Sequence, residues 1–226
     1  MAETLPLFPL CTVLLPGASQ PLHIFEPRYR QLTVDLVTGA VPDREFGVIG
    51  VLPGWNTEVC RLDQVERIGC SAVLREARKL GDGRFNIVTR GERRFRLLEI
   101  DTESAPYLMA SVEWLPDSEV GGTFRAAMPE LATAALAAHR RYCTAAWHSD
   151  EWVELAGDTE PKALANLVAA DCLLPVPDRQ RLLEERCPAK RLQLVRRMLN
   201  REAGIVSSLR AVPTSLSELG PTNSLN

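Results

Sequence analysis

Prolines interrupt every apolar run in the first thirty residues, so this stretch cannot form a single helix. Leu5-Pro6-Leu7-Phe8-Pro9-Leu10 is followed by Val13-Leu14-Leu15-Pro16-Gly17, then by Pro21-Leu22-His23-Ile24-Phe25-Glu26-Pro27-Arg28-Tyr29-Arg30. An interior proline removes a helical donor and clashes with the preceding turn. The pattern predicts two or three short strands, then a helix with Pro27 in its first turn and Tyr29, Leu32 and Leu36 along it.

The β-rich pattern continues to about residue 117. Phe46-Gly47-Val48-Ile49-Gly50-Val51-Leu52 is an apolar run between Pro42 and Pro53-Gly54, as expected of a buried strand. A long strand or strand pair follows over residues 64–79. Gly81-Asp82-Gly83 is a tight-turn sequence, because Asp-Gly tolerates the positive φ angles of hairpins. Residues 84–89 form the return strand, with Phe85, Ile87 and Thr89 on one face. Gly91-Glu92 reads as a turn before a further strand from Arg93. Residues 107–115 alternate Leu108, Ala110, Val112 and Trp114 against Met109, Ser111 and Glu113. Sequential pairing of these strands predicts mostly antiparallel hairpins in a curled sheet or partly closed barrel.

Composition changes after Pro116-Asp117. Phe124, Met128, Leu131, Ala135, Ala138 and Tyr142 recur at steps of four and three, the stripe of an amphipathic helix. Pro129 falls inside it and either starts or kinks that helix. A polar loop at 147–157 precedes a second helix with Thr159 as N-cap and Pro161 in the first turn. Pro175-Val176-Pro177 ends it, Asp178 caps a third helix, and Pro188 opens a fourth with Leu192, Val195 and Leu199 on one face. The expected organisation is a β-rich domain over residues 1–117, a helical bundle over 118–203 and a flexible tail over 204–226, rich in Ser, Thr, Pro and Asn.

These pieces, in this order, resemble the amino-terminal, substrate-binding domain family of Lon proteases. The similarity rests on the opening Leu-Pro-Leu-Phe-Pro run and the His23-Ile24-Phe25-Glu26-Pro27-Arg28-Tyr29 segment. It continues through Asp82-Gly83-Arg84, Thr89-Arg90-Gly91, Arg93-Arg94-Phe95-Arg96, Pro106-Tyr107-Leu108, Leu173-Leu174-Pro175 and Asp178-Arg179-Gln180-Arg181-Leu182-Leu183-Glu184. The resemblance spans about residues 5–202. It implies an α+β chain: a mostly antiparallel PUA-like β pseudo-barrel with one early helix, followed by a carboxy-terminal helical bundle. It also implies a role in recognising protein substrates. No Gly-Lys dipeptide occurs anywhere, so no Walker A loop cradles a triphosphate. A member of the family without ATPase and peptidase modules is expected, and the chain is not expected to be an enzyme.

The residues offer no catalytic, cofactor or metal constellation. Gly69-Cys70-Ser71-Ala72-Val73 lacks the final glycine of a nucleophile elbow and lies in a predicted strand. Gly81-Asp82-Gly83 has Asn86 where a dinucleotide loop needs its third glycine. The cysteines at 11, 60, 70, 143, 172 and 187 show no Cys-x-x-Cys pair and no neighbouring histidine at ligand spacing. His23 reads as a strand residue held by a structural hydrogen bond, and His139 and His148 stand nine apart, off a one-face helical pair. Glu26 and Arg28, with Tyr29 beside them, are the candidate partner contacts. Their other reading is local: Glu26 complements the helix dipole and Arg28 ties the helix to the sheet.

Charge and hydropathy set the remaining expectations. The net charge is −3, which argues against general attraction to nucleic acid or membrane. Residues 179–201 carry eight basic side chains, among them Arg191, Arg196 and Arg197, against Glu184 and Glu185; a solvated helix face is the plainer reading than an RNA-binding stripe. No basic-then-apolar leader and no run of eighteen apolar residues is present, so no signal peptide or transmembrane helix is expected and the cytoplasm is the expected compartment. The favoured expectation is a non-catalytic protein- or peptide-binding module that presents a sheet edge or apolar groove to unfolded or extended segments. The alternatives are an enzyme or small-molecule binder with a polar site at the junction of sheet and bundle, lined by His23, Glu26 or Arg28, and an RNA-binding PUA-like protein.

Overall fold

A computed structural model describes residues 2–55, 58–147 and 159–209. Six strands and five α-helices follow one another among these residues: β1 (Glu3–Leu10), β2 (Ser19–Ile24), α1 (Pro27–Thr38), β3 (Glu45–Gly50), β4 (Ile68–Lys79), β5 (Phe85–Asp101), β6 (Met109–Trp114), α2 (Gly122–Ala146), α3 (Pro161–Ala170), α4 (Val176–Glu184) and α5 (Pro188–Leu209). His148 and most of the 147–157 loop lie outside the described residues, as does the tail beyond 209. The helix α5 itself continues through Gly204 to Leu209.

The strands form a mixed sheet in the order β2-β5-β4-β3-β1-β6. This corrects the expected mostly antiparallel PUA-like pseudo-barrel, because the sheet is not a closed barrel: β2 stands at an edge with β5 beside it, and β1 runs parallel to β3. Reading successive apolar runs as hairpins misses this arrangement. A parallel pair needs a crossover, and here residues 11–44, including β2 and α1, supply it. The opening strand therefore lands between β3 and the last strand, β6, pairing Leu7 with Gly47 and Leu5 with Ala110.

Alternation along β1 sends its side chains to two cores. Phe8 joins a large cluster that includes Leu15, Leu32 and Phe46 of the β-rich half and Tyr142, Leu192 and Leu199 of the helices. Leu5 and Leu7 face a smaller cluster with Ile49, Phe95, Leu97 and Val112. In α1, Tyr29, Leu32 and Leu36 are at most 2% exposed, and such full burial contributes about 1.5–3 kcal/mol per side chain. Gly39 ends α1 with φ of 82°, the left-handed conformation that glycine adopts without a Cβ penalty.

A second correction concerns Gly91. No turn occurs there: β5 runs unbroken for 17 residues, serving β4 along residues 85–96 and β6 along residues 95–101. Gly91 is required for another reason. Its N–H donates to Ala18 O at 2.9 Å and its carbonyl accepts from Gly17 N at 2.8 Å, which brings the 15–18 loop directly onto the strand. A Cβ on Gly91 would stand 2.3 Å from the Leu15 carbonyl oxygen.

In the helical half, α2 runs through Pro129 rather than starting at it. The N-cap of α3 is Glu160, one residue after the expected Thr159. Asp178 lies within the first turn of α4, where it is buried and pairs with Arg201 of α5, instead of preceding the helix as a cap. The α5 face is as expected, with Leu192, Val195 and Leu199 fully buried.

Candidate functional site

Three places on this scaffold bring together residues capable of chemistry or recognition. The first is the sheet edge at β2 and the entry to α1. His23 Nδ1 lies 2.7 Å from Asn86 Oδ1, and its Nε2 lies 3.3 Å from Arg84 Nη1, so cross-strand neighbours from β5 and its turn hold the ring. Phe25 follows, 53% exposed, its ring 6.3 Å from that of His23. Arg28 then folds back, its Nε donating to Glu26 Oε2 at 3.0 Å while its guanidinium stands 4.6 Å above the Tyr29 ring.

Tyr29 itself is a core residue. Its ring stacks on Phe8 at 4.0 Å between centroids, and its buried hydroxyl has no hydrogen-bond partner. Burial drives its ionisation well above the ordinary tyrosine range, the Arg28 charge opposing only in part. Sequence alone shows Pro27 opening a helix; it does not show that residue i+2 points into the sheet while Glu26 and Arg28 stay at the surface.

The second place is the junction between the sheet and the helices, an open groove of about 670 Å³. Its walls include Trp114, Leu115 and Pro116 on one side and Lys162, Ala163 and Asn166 on the other. At its floor Arg94 of β5 and Arg191 of α5, both nearly inaccessible, converge on the Asp117 carboxylate. Burial, then the neighbouring Arg94 charge, lowers the Arg191 pKa, with Asp117 opposing. Arg93 stacks over Trp114 at 3.6 Å and pairs with Glu45 at 2.8 Å. Among the described residues lining the groove there is no His, Cys, Ser, Thr or Tyr; its ionisable side chains are Arg90, Glu92, Arg93, Arg94, Asp117, Glu160, Lys162 and Arg191. His23, Glu26 and Arg28 do not line it.

Other sequence candidates fall away on burial. Ser71 is fully buried in β4, where its Oγ accepts from Arg93 N at 3.1 Å. The basic run 179–201 is not one surface: Arg191 is 1% exposed, Arg201 pairs with Asp178 and Glu202, and Arg186 Nε donates to Pro116 O.

The third place escaped the sequence reading. His139 and Cys143 stand four apart on α2, one face of a helix, and Asp171 approaches them from the end of α3. The missed signal was His-x-x-x-Cys, which a search confined to Cys-x-x-Cys and His-x-x-x-His pairs passes over.

An α+β chain with an exposed sheet edge and an ion-clamped groove between sheet and helices is what this geometry defines. No helix among the described residues is long and apolar enough to cross a membrane. The family model for the ATP-dependent protease La (LON) substrate-binding domain matches residues 4–201, and the chain belongs to that family. It is 30% identical to the Lon protease of Anaeromyxobacter dehalogenans over 217 residues, covering 89% of this chain and 24% of that protein. Lon protease 2 of Myxococcus xanthus is 29% identical over 223 residues, covering 90% of this chain and again 24% of the relative. The chain thus spans about a quarter of the length of these relatives. The crystal structure of a Lon N-terminal domain protein from Xanthomonas campestris superposes with a TM-score of 0.60 at 26% identity, covering 84% of this chain and 95% of that one. The N-terminal domain of a Mycobacterium avium complex Lon protease shares the fold, with a TM-score of 0.64 at 21% identity over 87% and 98% of the two chains. The matches lie in the non-catalytic amino-terminal domain, apart from the ATPase and peptidase regions.

Proposed function

We propose that this chain binds unfolded or extended protein segments along the outer edge of β2, with Phe25 as the apolar contact and the Glu26–Arg28 pair as the polar one. The observation that carries this reading is the position of β2: it ends the strand order, and the exposed Phe25 immediately follows it. An edge strand offers backbone donors and acceptors to any extended chain with little dependence on sequence, and a flanking aromatic adds selectivity. Pro21 offers no donor, as prolines in edge strands do not, so a client gains its backbone bonds on either side of it. In this reading Tyr29 holds Arg28 from beneath and does not touch the client. The family description as a substrate-binding domain supports the same role. The proposal keeps the division near residue 117 as the boundary between the client-binding half and its helical support. It also places the chain in the cytoplasm, where its six free thiols suit a reducing compartment.

Titration of reduced, unfolded model proteins against the wild-type chain and against Phe25→Asp and Arg28→Glu tests this. The wild type is expected to bind in the micromolar range and each variant about tenfold more weakly, while Phe25→Asp, at an exposed position, keeps the wild-type melting temperature. Absence of wild-type binding at high micromolar concentration overturns the reading.

A further inference from the structure

We propose that His139, Cys143 and Asp171 form a binding site for a thiophilic divalent cation, Zn²⁺ by its chemistry, that joins α2 to the end of α3. The inference is independent of the client-binding proposal.

The geometry around one nitrogen carries it. His139 Nε2 lies 3.5 Å from Cys143 Sγ and 3.0 Å from Asp171 Oδ2, while Nδ1 is 4.0 Å from the same sulfur. The three ligand atoms fall within 4.8 Å of one another. A tetrahedral zinc with Zn–S of about 2.3 Å and Zn–N of about 2.0 Å separates its sulfur and nitrogen ligands by about 3.5 Å. The observed spacing is that of a ligand set.

The same geometry argues against a Cys-His-Asp nucleophile. Such a triad needs one ring nitrogen on the thiol and the other on the carboxylate. Here Nε2 faces both, and Cys143 is 1% exposed, out of reach of a substrate. A single proton on Nε2 serves one of its two neighbours at a time, whereas a cation is shared by all.

Charge and access fit as well. One thiolate, one carboxylate and Zn²⁺ sum to zero charge, so the buried side of the site carries no uncompensated ion. Asp171 is half exposed, so the site opens to solvent on the carboxylate side while the thiol stays dry. A thiolate, an imidazole and a carboxylate suit zinc over magnesium or calcium, with the fourth position left to water on the exposed side.

The experiment titrates Co²⁺ into the full chain, reduced and under anaerobic conditions, and then displaces it with Zn²⁺. The expected result is one Co²⁺ per chain with thiolate-to-cobalt charge-transfer absorption and intense tetrahedral d–d bands, abolished by Zn²⁺. Cys143→Ser abolishes the charge-transfer band, and the triple variant C11S/C60S/C187S leaves it intact. Asp171→Asn, at an exposed position that keeps the fold, weakens affinity by at least about 10–100-fold, the loss seen for even an outer partner of a ligand. Zn²⁺ raises the melting temperature of the wild type and not that of Asp171→Asn. Weak octahedral Co²⁺ spectra without charge transfer overturn the proposal, as does unchanged metal affinity in folded Asp171→Asn.

Discussion

Arg191 Nη2 stands 2.9 Å from Asp117 Oδ1 and 3.0 Å from Oδ2, and Arg94 Nη2 contacts the same Oδ1 from the sheet side. One carboxylate thus clamps a strand to a helix, with Arg94 Nη1 also donating to Glu185 O at 3.1 Å. Removing it leaves two buried guanidiniums facing each other without the carboxylate that bridges them. Asp117→Asn is expected to destabilise the chain by about 3 kcal/mol, the scale for breaking a buried pair. Urea unfolding followed by circular dichroism measures this as a lower midpoint with an unchanged slope.

Gly91→Ala is expected to destabilise by about 2–3 kcal/mol. The added methyl would meet the Leu15 carbonyl at 2.3 Å, a backbone atom fixed by the two hydrogen bonds that join Gly91 to the 17–18 segment. Chemical denaturation gives the loss, and amide hydrogen exchange at Gly17 and Gly91 accelerates with it.

Tyr29→Phe is expected to stabilise by about 1 kcal/mol, because it deletes a buried hydroxyl that has no partner and keeps the ring on Phe8. The gain grows in alkali. Burial raises the folded-state pKa above the usual 10.0, so the folded chain holds the phenolic proton and loses stability as pH rises past that value. Tyr29→Phe has no proton to lose, and thermal melts at neutral and alkaline pH should diverge accordingly.

Glu66 shows the same linkage in acid. Burial first, and then the Glu184 charge, raises its pKa above 4.5 in the folded state. A carboxyl with a raised folded pKa favours folding when protonated and disfavours it once pH exceeds the unfolded value. Glu66→Gln should therefore stabilise by up to about 0.5 kcal/mol near pH ~7 and make no difference below about pH 4. Urea titrations at the two pH values check the sign.

What was legible in the sequence was local. Pro27 fixed the start of α1, and the spacing of Tyr29, Leu32 and Leu36 marked its buried face, because both depend on neighbours within two turns. Leu192, Val195 and Leu199 were legible in the same way. Pairing across the chain was not. Nothing near Leu7 announces Gly47 as its parallel partner, and Gly91 looks like a turn glycine until the 15–18 loop is seen against it. The candidate site was legible at Glu26 and Arg28 as surface charges, whereas Tyr29 turned inward onto Phe8, a contact 21 positions away. Arg191 read as part of a basic face because its counter-ion, Asp117, is 74 positions distant. His139 and Cys143 were legible as a helical pair; Asp171 reaches them only through the packing of α2 and α3.

The placement of β1 between β3 and β6 has a bearing on how the chain is made. Residues 3–6 pair with residues 109–112, so β1 leaves a ribosome and waits for the synthesis of roughly a hundred more residues before its second neighbour exists. Until then β1 has at most the parallel β3 partner, and the sheet stays unfinished. Contacts this distant in sequence slow folding. In a nascent chain the proline-broken opening is thus an exposed apolar strand in its own right, and its prolines limit how readily it can pair with the wrong partner while it waits.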